Sequence, residues 1–134
     1  MITSEYKIRV PYVDVDQMGF LYHAHYIEYF DMARTEMIRE AGMSNKQLEE
    51  EGCMLPVMNV TIDYKFPANY DDLITIKTTL KKIPSATMTF FYEVSRGDVI
   101  LNTASVTVAF MNPITKKACR PPKKLMDLIR PHFK

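Results

Sequence analysis

Most of the side chains able to do chemistry fall in one stretch, Tyr-Val-Asp-Val-Asp-Gln-Met-Gly-Phe-Leu-Tyr-His-Ala-His-Tyr, from Tyr12 to Tyr26. It holds Asp14, Asp16, Gly19, Tyr22, His23, His25 and Tyr26. Carboxylates and imidazoles this close can move protons, activate water or attack a carbonyl carbon. Asp16 admits two readings. Just before a helix, it can cap free backbone N–H groups, a contribution of about 1 kcal/mol. The same position can instead hold a carboxylate beside donors that stabilise a developing oxyanion. His23 and His25 are two residues apart, so on a helix they point about 200° away from each other and share no metal. Either one imidazole is buried and the other exposed, or His23 turns toward the acidic loop. A third histidine, His132, and two cysteines, Cys53 and Cys119, make no evident zinc set, so no metal is expected. Cys53 reads as a packed thiol, since no nearby group would lower its pKa.

These side chains need a rigid mount, and the next residues provide one. Ile27 to Ala41 contains no Gly or Pro. Tyr26, Phe30, Ala33, Met37 and Ala41 recur at steps of four and three, the spacing of a half-buried helix. Gly42 is a natural stop, because glycine takes a left-handed conformation without penalty. An 18–20-residue helix of about 27–30 Å is expected. Ser44 followed by Gln47 fits a capping box that opens a short second helix ending near Gly52.

The rest of the chain has mostly a period of two. Glu5 to Val13 reads as a first strand ended by Pro11. Val60 to Phe66, Ile74 to Leu80, Met88 to Val94 and Asn102 to Phe110 alternate apolar and polar residues. Turn chemistry at 67–72, 84–85 and 97–98 separates them. Four consecutive strands with short connections suggest an antiparallel meander. Pro121 and Pro122 precede a last helix over Lys123 to Phe133. The expected class is α+β: a curled antiparallel sheet of about five strands around one long central helix. Exposed sheet edges favour a dimer by strand addition.

At 134 residues and 47% hydrophobic, the chain suits one domain, 1–134, with a real core. Seventeen basic against sixteen acidic residues, net +1, disfavour nucleic acid as the main partner. No apolar run is long enough for a transmembrane segment, and Met1 to Tyr6 lacks the apolar core of a signal peptide. The expectation is a cytoplasmic protein with free thiols. No Gly-x-Ser-x-Gly elbow, phosphate-binding glycine loop or Cys-x-x-Cys is present.

The stretch Arg9-Val10-x-Tyr12-x-Asp14-x-Asp16-x-x-Gly19-x-x-Tyr22-His23-Ala24-x-Tyr26, followed by Ala33-Arg34-Thr35-Glu36-Met37, resembles the 4-hydroxybenzoyl-CoA thioesterase family of hotdog-fold proteins. It is most like the bacterial Tol–Pal-linked acyl-CoA thioesterases. Tyr70-Asp71-Asp72, Val94-Ser95-Arg96 and Asn112-Pro113 extend the resemblance over nearly the whole chain. The resemblance implies a hydrolase that cleaves a thioester to a free acid and coenzyme A. Coenzyme A would enter as part of the substrate, with no separate cofactor. Asp16 would be the catalytic nucleophile or general base, and the His23 N–H would polarise the thioester oxygen. Gly19 would let the backbone approach the acyl group, while Tyr12, Tyr22 and the His23 ring would shape the site. Val57, Met58, Asn59 and Val60 of a partner subunit would line the acyl pocket of a homodimer, with dimers pairing into a homotetramer. Some members clamp coenzyme A with basic residues between the two central strands. Here that turn is Ile83-Pro84-Ser85-Ala86, uncharged, with Lys81 and Lys82 just before it. An acyl carrier protein is therefore an alternative carrier. A dehydratase or a non-catalytic acyl-binding module are rival readings, since fold alone does not decide activity.

Overall fold

In the computed structural model, which describes residues 1–133, the alternating segments form five strands. They are β1 (Ile2–Arg9), β2 (Val57–Tyr64), β3 (Leu73–Leu80), β4 (Thr87–Arg96) and β5 (Val99–Ala109). The helices are α1 (His25–Ala41), α2 (Asn45–Glu50) and α3 (Lys123–Ile129). All the strands join in one antiparallel sheet, in the order β1-β3-β4-β5-β2. The sheet curls, with breaks in register at Val57/Asn59 and at Val94/Ser95.

Only part of the expected meander forms. β3, β4 and β5 are consecutive neighbours, but β2 pairs with β5 and not with β3. Period two specifies which face a side chain takes, not which strand lies alongside. The link after β2 makes the difference. The Lys65 and Phe66 amides both donate to the Leu101 carbonyl, so the chain leaves β2 still bound to β5. Pro67 ends the ladder, Ala68 is buried, and Asp71 adopts φ +71° before β3 begins on the far side.

The first strand lies earlier than its sequence suggests. Val10 and Pro11 leave the β1 ladder, and Tyr12–Asp14 winds into a 3-10 turn. α1 is 17 residues long, shorter than expected because residues 23–24 form a turn ahead of it. Its buried stripe is Tyr26, Tyr29, Phe30, Ala33, Arg34, Met37 and Ile38. That face packs on β1 and β3, and the Phe30 ring stacks on Tyr92 of β4 at 4.4 Å. At the other end the Gly42 amide donates to the Ile38 and Arg39 carbonyls, with φ +121°. The capping box forms: Ser44 Oγ accepts from the Gln47 amide, and the Gln47 side chain accepts from the Ser44 amide. α3 is shorter than the expected Lys123–Phe133, since Pro131 cannot continue a helix and Arg130–His132 tightens to 3-10 geometry. Cys53 and Cys119, distant in sequence, meet with sulfurs 3.8 Å apart. Burial, then the neighbouring Cys119, pushes the Cys53 thiol up to about 12.

Candidate active site

The 3-10 turn throws Asp14 and Asp16 toward the start of α1, but the two carboxylates do different work. Asp16 caps no helix. The N-cap of α1 is Ala24, which has no side-chain cap bond. Asp16 instead holds its own loop: Oδ1 accepts from the Met18 amide at 2.9 Å and from the Phe20 amide at 3.3 Å. Its main chain closes the same loop, with its N–H on the Phe20 carbonyl and its carbonyl accepting from Gly19. Gly19 adopts φ +83°, which a side chain would strain.

Asp16 is exposed, and it opens onto a cavity of about 280 Å³. His23 lines that cavity too, with Phe20, Leu21, Tyr26, Tyr64, Lys65, Phe66 and Pro67. The Tyr64 hydroxyl donates to the His23 carbonyl at 3.0 Å, so a strand residue holds the turn before α1 in place. The amides of His23 and Ala24 meet no backbone acceptor among the described residues. They are free donors where the helix begins, in the region that favours negative charge. In the cavity wall Tyr26 is buried, and burial pushes its hydroxyl up to about 12. It therefore stays protonated near neutral pH.

The structure does not bring every expected residue to this cavity. Tyr22 is half-exposed, its ring against His23 at 4.6 Å and His25 at 5.6 Å. Tyr12 lies on the surface, edge-on to Tyr70. Val57, Met58, Asn59 and Val60 are on β2, an edge strand, away from the cavity of their own chain. Neither histidine is fully buried. His23 opens onto the cavity with Asp16, while His25 faces Asp14 and Glu28.

Sequence reasoning missed Phe20, Tyr64, Lys65, Phe66 and Pro67 as parts of the cavity wall. Tyr64 and Phe66 read simply as alternating strand residues, and only the β2–β5 pairing carries them to α1. The Asn112-Pro113 turn and the Lys81–Lys82 pair lie elsewhere. Lys81 and Lys82 line a separate cavity of about 340 Å³ beside Ser85 and Phe91, with Lys81 Nζ 4.0 Å from the centre of the Phe91 ring. Among the described residues no group of three His, Cys, Asp or Glu could hold a metal, and no helix is long and apolar enough to cross a membrane.

A carboxylate and an imidazole on one cavity, with unengaged amides at residues 23 and 24 where the helix begins, suit attack on an activated carbonyl. Comparisons with known proteins point the same way. The chain is 33% identical over 121 residues to the acyl-CoA thioesterase YbgC of Haemophilus influenzae, covering 90% of this chain and 89% of the relative. A probable thioesterase from Bartonella henselae superposes with a TM-score of 0.80 at 30% identity, over 91% of this chain and 100% of that one. The 4-hydroxybenzoyl-CoA thioesterase of Pseudomonas sp. strain CBS-3 superposes at 0.85, over 96% of this chain and 99% of that one; at 21% identity that likeness concerns the fold alone. Residues 10–129 match the family model of the thioesterase-like superfamily, and the chain belongs to that superfamily.

Proposed function

We propose that this protein is an acyl-CoA thioesterase, converting an acyl thioester and water into a free acid and coenzyme A. The observation that carries the reading is the shared cavity of Asp16 and His23 at the start of α1. A thioester carbonyl is already electrophilic, so a carboxylate and oriented donors suffice without a serine triad. The acyl carbonyl lies against the His23 amide, which stabilises the oxyanion as the carbon becomes tetrahedral. Asp16 either takes a proton from the attacking water or attacks the carbon itself, forming an anhydride that water then opens. In both routes the carbon–sulfur bond breaks and the sulfur leaves as the coenzyme A thiol after taking a proton. Gly19 keeps the loop tight, and the Tyr22 and His23 rings border the entrance.

The architecture belongs to the same reading: a hotdog in which the sheet wraps α1. Its β2 edge exposes Val57 and Met58 and leaves one row of backbone groups unpaired. A second copy added at that edge would bring Val57 to Val60 toward the neighbouring site and complete the acyl pocket of a dimer. Pairs of dimers would make a tetramer.

Asp16→Asn tests the chemistry. It keeps an oxygen to accept from Met18 and Phe20, so the variant folds, and turnover of acyl-CoA falls by about 10²–10⁴. Thiol release is followed with a thiol-trapping dye across acyl-CoA and acyl-carrier substrates. A folded Asp16→Asn protein with near-wild-type rates removes Asp16 from the mechanism.

A further inference from the structure

Asp14 lies two residues before Asp16, and the hydrolysis described above gives it no role. Its carboxylate faces α1. Oδ2 accepts from the Tyr29 hydroxyl at 2.6 Å, and Oδ1 is 3.8 Å from His25 Nε2. His25 and Tyr29 are one turn apart on the same helix face, so a single carboxylate spans that turn. The other ring nitrogen of His25, Nδ1, is 3.2 Å from Glu28 Oε1. Asp14 also joins through the main chain: its carbonyl accepts from the Tyr22 amide at 3.0 Å. Tyr29 is buried, and its hydroxyl is held well above its ordinary range, by burial first and then by Asp14. The phenol thus stays a donor. Among the described residues, these contacts are the side-chain polar links between residues 12–21 and α1.

That arrangement has a mechanical consequence. Asp16 reaches only its own loop, so its carboxylate does not fix the loop to the helix. The donors that would meet an oxyanion belong to the turn leading into α1. Main-chain bonds tie the loop to residues 68–70 and Tyr64 holds the His23 carbonyl, but the side-chain link from this segment to α1 is Asp14, two residues from Asp16. We propose that Asp14, gripping Tyr29 and His25, is a positioning residue that sets Asp16 against the amides of residues 23 and 24. The kinetic part of this inference rests on the thioesterase reading; the structural part does not. A misplacement of about 1 Å at a reacting centre can cost about 10²-fold in rate.

Tyr29→Phe removes one oxygen and little else, Asp14→Ala removes the grip, and Asp14→Asn keeps an oxygen able to accept from Tyr29. Two readouts are taken on each folded variant. One is hydrogen exchange at the Met18 and Phe20 amides, which bond to Asp16; the other is thiol release from acyl-CoA. Tyr29→Phe and Asp14→Ala are expected to speed exchange at both amides and to lower kcat by about 10–100-fold, with KM within about twofold. Asp14→Asn should recover most of kcat. The double variant should be no worse than Asp14→Ala alone, because that change already removes the Tyr29 contact along with the His25 one. Unchanged exchange and unchanged kcat in Tyr29→Phe overturn the proposal, as does an Asp14→Asn protein as impaired as Asp14→Ala. If the wild type releases no thiol from any acyl-CoA, the hydrolase reading falls, and the exchange rates alone still decide whether Asp14 holds the loop.

Discussion

Three aspartates differ in what their oxygens reach. Asp16 turns back on its own loop, Asp14 crosses to α1, and Asp72 meets a cation. Burial alone would raise the Asp72 carboxyl. The Asn69 amide at 2.8 Å and Arg96 Nη1 at 2.7 Å more than offset that and hold it below the usual carboxylate range. A carboxyl held below its unfolded value adds stability that is complete above about pH 4 and fades as pH falls through the folded value. Arg96→Ala is therefore expected to cost about 0.5–1 kcal/mol near neutral pH, since both side chains are partly exposed. The gap to wild type should narrow toward pH 3. Thermal unfolding across that range checks this; a gap that ignores pH removes the ion pair as its cause. None of these partners is visible from residue type, because an aspartate in a polar loop looks the same whichever way it turns.

Elements were easier to read than their partners. The apolar stripe of α1, the stop at Gly42 and the Ser44–Gln47 box all depend on residues within a few positions of each other, and all three form. Gly42 also meets a distant neighbour. A Cβ there would lie 3.1 Å from Leu128 Cδ2, on top of the penalty for φ +121°. Gly42→Ala is expected to cost about 1–2 kcal/mol and to lower Tm by about 3–6 °C in a melting experiment. A melting point equal to wild type would mean the helix end relaxes freely. The strand limits drifted where proline and the 3-10 turn intervene. α3 stops short of the expected Phe133 because Pro131 breaks it and Arg130–His132 tightens into a 3-10 turn.

For the molecule as a whole, β2 is an edge strand open to pairing. If it carries the dimer proposed above, the 15.6 kDa chain should run at two or four times its mass in light scattering after gel filtration. Met58→Asp, placed on that edge, should shift it toward the monomer and reduce turnover together. A wild type that stays monomeric at tens of micromolar sinks the interface. By itself the sequence determined the segments, the helix limits near Gly42, the family and the loop that holds Asp14, Asp16 and His23, because each of these rests on local spacing or on a long irregular signature. Only the tertiary structure decided that β2 lies against β5, that Tyr64 and Phe66 wall the cavity, that Cys53 meets Cys119, and that Asp14 reaches Tyr29 and His25 while Asp16 stays with its loop. Those outcomes depend on which distant groups share a burial site, and neighbouring residues carry no record of that.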